Sequence, residues 1–276
     1  MSCSVLVASY NTRELTLEAI GSVVGPTNLE TIVIDNASHD GSADAIAAKY
    51  PSVHLMRSET NFGFAGGVNR AAAAAHGETL LVLNSDARLQ PGALELMLDL
   101  LHRQPRAALV GPALCYADGR PQTSAFAFPG LIQVTLDLHP IDRLMETRVN
   151  GRVRATAPRQ VDHTLGACML VRSAAWQDVG PLDEGYFMYL EEVDWCRRAR
   201  ARGWQIWHHP RALVVHHGGS STSQQPEAMF AQLWRSRLRY YSRFHGPTYN
   251  RLVHALVRLG LPVRGGATER VRQLVA

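Results

Sequence analysis

The stretch EGYFMYLEEVDWCRRARARGW carries three acids within four residues, followed by four arginines and a closing Gly-Trp. On a helix Glu191 and Asp194 are three apart and share a face, and Asp194 lies one turn from Arg197 and Arg198, so it reads as an ion-pair residue. Glu192 points about 100° from Glu191. It alone escapes that local pairing. If it faces a cleft, partial burial raises its carboxyl toward the range of a general base; a solvated acidic patch is the competing account. A second acidic stretch is LLVLNSDARLQPG, where an apolar strand ends on Asn84, Ser85 and Asp86. Oxygen-bearing side chains in such a turn suit a hard divalent cation that also holds diphosphate oxygens, with Asp86 as the charged ligand. An Asx turn before Pro91 is the plainer alternative. In VVHHGGSS, His216 and His217 end another apolar run, and neighbouring strand side chains face opposite ways, so only one of the two can meet a given metal.

Two early strands also end on polar residues, VLVASYN on Ser9, Tyr10 and Asn11, and TIVIDNASHDGS on Asp35, Asn36, Ser38 and Asp40. The Asp35 carboxylate could accept from a ribose hydroxyl or from the imide N–H of uracil or thymine, although an Asp there is more often a turn or cap. The turn after the first strand, SYNTRE, has no glycine, which removes the dinucleotide fingerprint, and no P-loop occurs. In NFGFAGGVNRAAAAA, Gly63, Gly66 and Gly67 allow close backbone approach at a helix start that could receive a diphosphate, a weak signal by itself.

The elements that must hold these residues alternate. SVLVAS, TIVID, VHLMR and TLLVLN are apolar runs separated by helical patterns, the signature of an α/β chain with a mostly parallel sheet covered on both faces. Ligands of such sheets bind beyond the carboxyl ends of the strands, where the polar residues fall. From about Tyr116 to Gln160 no clear period is seen, and that stretch is expected to be a functional loop or insertion.

The 276 residues, 46% of them hydrophobic, suffice for one core or one domain with an appendage. No apolar run is long enough to cross a bilayer and no leader pattern is seen, so a cytoplasmic protein is expected. Cys3, Cys115, Cys168 and Cys196 form no C-x-x-C pair and suggest neither a zinc knuckle nor a disulfide framework. From Pro226 onward nine Arg face only Glu227 and Glu269, about +7, while the rest of the chain sums to about −3. Such a basic end fits an acidic partner or a solvated helix. Trp234, Leu238 and Tyr241 recur at helical spacing among arginines, as in a membrane-interfacial helix or one packed on the domain or on a second subunit, which would make a homodimer.

Taken together, VLVASYN, VIDNASHDGS, NFGFAGGVN, LLVLNSDARLQPG, LGACMLVR, GYFMYLEEVDWCRRARARGW and VVHHGGSST resemble, in order, the family 2 inverting glycosyltransferases of the GT-A fold. The resemblance covers about residues 3 to 245 and is nearest to bacterial rhamnosyltransferases and related cell-wall or O-antigen enzymes. It implies a glycosyltransferase domain over 1–225, with a nucleotide-sugar half (1–115) and an acceptor and catalytic half (116–225), and a basic helical extension over 226–276. It implies donor contacts from Ser9, Tyr10, Asn11, Asp35, Asn36, Asn61, Gly67, Asn69, Asn84 and Ser85, with Asp35 reading the pyrimidine. Asp86 and His216 would hold Mg²⁺ or Mn²⁺. Glu192 stands at the place of the base, and Glu191, Gly166, Ala167 and Asp194 would lie by the acceptor or support it. Two departures stand out: Asn84 replaces an Asp of the metal motif, and the base is Glu rather than Asp.

The implied donor is dTDP-rhamnose or a UDP-sugar, and the implied acceptor is a saccharide or lipid-linked saccharide at the inner face of the membrane. An anionic membrane surface would bind the basic tail; no nucleic acid is expected. A catalytically silent sugar-nucleotide-binding scaffold is the alternative class, while a His-based metal hydrolase lacks a His-Glu pair at ligand spacing.

Overall fold

The computed structural model describes residues 2–25, 29–139, 141–145, 147–220 and 222–260. The first half alternates as its sequence demands: β1 (Cys3–Ser9), α1 (Arg13–Gly21), β2 (Leu29–Asn36), α2 (Ser42–Lys49), β3 (His54–Ser58), α3 (Gly63–Ala73), β4 (Thr79–Asn84), β5 (Ala87–Leu89), α4 (Ala93–Arg103) and β6 (Ala107–Cys115). β3, β2, β1 and β4 lie side by side, all parallel. Their runs are apolar throughout because both faces are covered: Val5, Val7, Val33, Leu81 and Leu83 pack on one side, and Leu6, Ile32, Leu80 and Val82 on the other.

The second half is mixed. It contains β7 (Pro121–Gln122), β8 (Ala125–Phe126), α5 (Leu131–Leu138), α6 (Asp142–Met145), β9 (Arg159–Val161), β10 (His163–Thr164), β11 (Cys168–Arg172), α7 (Ser173–Val179), α8 (Glu191–Ala201) and β12 (Gln205–His216). β11 is antiparallel to both neighbours, β4 and β6, while β12 runs parallel to β6 and antiparallel to β5 and β9. The ends of β1, β2 and β4, the start of β11 and the end of β12 therefore gather at one edge.

The stretch expected to be an irregular loop holds a helix, α5, whose Leu131, Val134 and Leu138 enter a third core cluster. Its period of three and four is short and bracketed by prolines, which hid it.

That cluster also holds the inner faces of α9 (Pro226–Phe244) and α10 (Pro247–Gly260). Trp234 and Tyr241 are 1% and 2% exposed and Leu238 is packed with them, so of the readings open for this stripe, packing on the domain is the one found. Arg237 covers the Trp234 ring at 4.8 Å and pairs with Asp137 at 2.6 Å, an arginine bound to protein on the stripe itself. Residues 261–276 of the expected extension lie outside the described residues. Among the described residues no helix is long and apolar enough to cross a membrane. The four cysteines are buried and unpaired.

Candidate active site

At the gathered strand ends lies a cavity of about 440 Å³. Of the residues singled out in the sequence, Ser9, Tyr10, Asn36, Asn61, Asn84, Ser85, Asp86, Gly166, Ala167, Glu191, Glu192 and His216 line it. Backbone strain concentrates here. Among the described residues, the non-glycine positions with positive φ are Asn11 (50°) and Ala37 (66°), following β1 and β2, and Tyr189 (69°) and Leu190 (67°), directly before α8. Such geometry is costly for side chains with a Cβ and persists where surrounding contacts hold it, commonly at functional sites.

Asp86 follows β4 and is 8% exposed. Its Oδ1 lies 3.3 Å from Nε2 of His216, the last residue of β12, and its Oδ2 accepts from the Ser220 N–H at 3.3 Å. Burial works to raise the Asp86 carboxyl, but the His216 hydrogen bond and charge, with Ser220, outweigh it and hold the carboxyl below its ordinary value. Nδ1 of His216 is 2.9 Å from Oε1 of Gln122. With Nδ1–H donating there, a neutral ring turns the Nε2 lone pair toward a carboxylate oxygen, a meeting of two acceptors that only a proton or a cation relieves. Asn84 Oδ1 is buried without a partner. The donor set thus fits a hard divalent cation, though among the described residues no group of three or more His, Cys, Asp and Glu side chains gathers, so further oxygens must come from a ligand. His217 is exposed, as the alternation of strand side chains requires.

Across the cavity, α8 begins with Glu191 and Glu192, 5% and 8% exposed. A helix N-terminus favours ionised carboxylates, yet burial dominates. It pushes Glu192 up to about 7 against backbone N–H bonds including that of Gly166, and pushes Glu191 well above the usual range, with the Glu192 charge adding to it. Oε2 of each lacks a hydrogen-bond partner among the described residues. Glu191 therefore shares the free condition expected of Glu192 alone. Gly166 lies flat against Glu192: a Cβ built on it would stand 3.6 Å from Cβ, Cγ and Cδ of that side chain.

Asp194 points away from the cavity. It is wholly buried and pairs with Arg198 Nε at 2.6 Å and Arg243 Nε at 3.2 Å, with the Tyr186 hydroxyl at 3.4 Å. Its expected pairing with Arg197 is not made, because Arg197 donates to the Tyr240 hydroxyl and lies over the Phe244 ring.

Four donor candidates lie outside the lining. Asn69 donates to Leu182 O at 2.9 Å and accepts from Leu182 N at 3.0 Å, so its amide ties α3 to the chain before α8. Gly67 is a packing glycine: a Cβ there would come within 2.8 Å of Asn36 Nδ2 and 3.0 Å of Ala8 Cβ. Asn11 closes a loop, with Oδ1 accepting from His39 N at 2.7 Å and its N–H donating to Ser38 Oγ. Asp35 sits beside Ser9 in the β1–β2 register, 4% exposed; Oδ2 accepts from Ser38 N, and Oδ1 is buried without a partner.

The start of α3 is also more occupied than its glycines suggest. Phe64 N donates to Phe187 O, Gly63 N donates to Asn61 Oδ1, and a Cβ on Gly63 would strike Phe187 O, so Gly63 admits protein backbone, while Gly66 and Gly67 admit side chains. The sequence reading missed Phe187, Met188 and Tyr189, though they abut Glu191, and it missed Gln224, Gln225 and Met229, which carry no local chemical signal.

The family model described as Glycosyl transferase family 2 matches residues 4–172. The N-acetylglucosaminyl-diphospho-decaprenol L-rhamnosyltransferase of Mycobacterium tuberculosis is 31% identical over 251 residues, 86% of this chain and 82% of that protein. Rhamnosyltransferase WbbL of Escherichia coli is 31% identical over 83 residues, 30% and 31% of the two chains. Among solved structures, the mannosyltransferase PcManGT from Pyrobaculum calidifontis superposes with a TM-score of 0.61 at 16% identity, over 99% of this chain and 78% of that one. The fold is that of GT-A glycosyltransferases. With its match over most of the length and a full-length relative at this identity, the chain is a glycosyltransferase and belongs to glycosyl transferase family 2.

Proposed function

We propose that the enzyme transfers rhamnose from dTDP-rhamnose, with inversion, to a hydroxyl of a lipid-linked saccharide at the cytoplasmic face of the membrane. One observation carries the reading: the Asp86–His216 pair and the Glu192 carboxyl, with one oxygen unpartnered, face a single cavity. Glu192 takes the proton from the acceptor hydroxyl while that oxygen bonds to the anomeric carbon. The bond from that carbon to the diphosphate oxygen breaks, and its electron pair leaves with the nucleoside diphosphate. Attack opposite the leaving group inverts the configuration.

Asp86 and His216, with Asn84 beside them, would hold the Mg²⁺ or Mn²⁺ that the donor set fits, and PcManGT was solved with Mn²⁺. When bound, such an ion neutralises charge growing on the departing diphosphate. The unpartnered Oδ1 of Asp35 suits the imide N–H of thymine. Uracil offers the same N–H, so rhamnose is inferred from the relatives' names, and the lipid-linked acceptor from that of the mycobacterial enzyme. The domain division at residue 225 fits the same reading, since α9 starts at Pro226.

The test is nucleoside diphosphate release from dTDP-rhamnose and from UDP-sugars, with Mn²⁺ and a polyprenyl-diphosphate-linked N-acetylglucosamine. Release from dTDP-rhamnose that requires the acceptor supports the reading. Binding of nucleotide with no release from any donor would make the protein a silent scaffold instead.

A further inference from the structure

Helix α10, PTYNRLVHALVRLG, contains no Asp or Glu and is apolar on more of its circumference than the fold uses. Val253, Val257 and Gly260 are buried, and Gly260 backs so closely on α5 that a Cβ there would lie 2.8 Å from Leu138 Cβ. With about 100° per residue, Leu252, Leu256 and Leu259 form a second stripe beside that buried face, and Arg251 and Arg258 form a third beyond it. Leu252 is 47% and Leu259 74% exposed. Among the described residues, the exposed large hydrophobic side chains are Ile132, Ile141, Val149, Leu213, Leu252 and Leu259, and all but Leu213 and Val149 belong to α5, α10 or the chain just after α5. Neither Arg251 nor Arg258 makes an ion pair among the described residues.

We infer that the outer face of α10 is a docking surface for an anionic phospholipid membrane, with Leu252 and Leu259 entering the interface, Leu256 behind them on the core, and Arg251 and Arg258 meeting the headgroup phosphates. The order of the stripes decides for this occupant. Apolar residues flanked by arginines, with no acid, match the composition of a helix lying in a membrane interface. A second copy joined face to face would bring the same arginines together. The chain's own residues 261–276 carry three Arg and one Glu, and as a cover would set positive charge on positive. The inference replaces the α9 stripe as the site of contact and stands independently of donor and acceptor identity.

The experiment is co-sedimentation of the full chain with vesicles of phosphatidylcholine alone and of phosphatidylcholine mixed with phosphatidylglycerol, at low and high salt. Binding only to the mixed vesicles, weakened by salt, is expected. Leu252→Ser with Leu259→Ser, and separately Arg251→Glu with Arg258→Glu, should each weaken binding by about tenfold or more, with helical circular dichroism unchanged because all four side chains are exposed. Failure of the full chain to sediment with mixed vesicles, or α10 variants that bind as well as the parent, overturns the inference. So does loss of binding from Arg264→Glu, Arg270→Glu and Arg272→Glu alone, which would assign docking to the following segment. A dimer in light scattering that Leu259→Ser dissociates would assign the face to a second copy.

Discussion

Nε2 of His216 faces Oδ1 of Asp86 at 3.3 Å, while Nδ1 of the same ring faces Gln122 at 2.9 Å. Gln122, on the short strand β7, thus sets which ring nitrogen is turned to the cavity. Substituting Gln122 by Leu leaves both candidate ligands in place but frees the ring to turn. Mn²⁺ activation is expected to shift to about 10–100-fold higher metal, measured as diphosphate release against Mn²⁺ concentration. An unchanged activation curve would separate Gln122 from the metal site.

The Glu192 carboxyl ionises near 7 rather than near 4.5, so turnover should rise as pH climbs through about 7. Stability follows the opposite course. A carboxyl whose folded pKa is raised contributes stability that is complete below its unfolded value and lost as pH rises through the folded one. Glu192→Gln should therefore lower kcat by about 10²–10⁴-fold and, at pH 8, stabilise the fold by on the order of 2 kcal/mol. Denaturation of both proteins at pH 5 and pH 8 checks the sign: the variant's advantage must appear at the higher pH.

Gly166 offers a way to disturb Glu192 without removing it. A methyl group there meets Glu192 at ordinary contact distance, so Gly166→Ala should fold within about 1 kcal/mol of the parent. The methyl takes up room in which the Glu192 side chain adjusts to the acceptor, and it is expected to reduce kcat about tenfold with nucleotide affinity unchanged. Weaker dTDP binding at full kcat would place Gly166 with the donor.

Asp194 predicts a loss of a different kind. Asp194→Asn leaves Arg198 and Arg243 without their shared buried acid and should cost about 3 kcal/mol of stability. The pH profile of the residual activity should keep its midpoint. A moved midpoint would mean that Asp194 acts on the base.

How far the sequence could be read depended on whether its own local geometry decided the matter. The parallel half was legible because strands covered on both faces must be apolar and their ends must be polar, which brought out Ser9, Asp35 and Asp86, while Glu192 was brought out by its spacing on a helix. Spacing along α8 correctly paired Asp194 with Arg198, a partner one turn away. It erred at Arg197, where Tyr240 and Phe244 from α9 compete for the guanidinium, and it left Trp234 open between an interfacial and a packed face, because that face is defined by α5 and α10. Asn69 and Gly67 look like ligand residues in one dimension; only the approach of residue 182 and of β1 and β2 shows them binding protein. Period describes an element's faces, and long-range packing decides what covers each.

β11 runs against both of its neighbours, and this inversion governs how the chain can vary. The excursion over residues 116–167 leaves from the end of β6 and re-enters at the start of β11, both at the same rim of the sheet. It is tied back by β7, which pairs with β6, by β9, which pairs with β12, and by Gln122, which holds His216, but among the described residues none of its strands pairs with the four parallel strands. Length can therefore change between β7 and β9 without rethreading the parallel half, provided that β7 keeps Gln122 against His216.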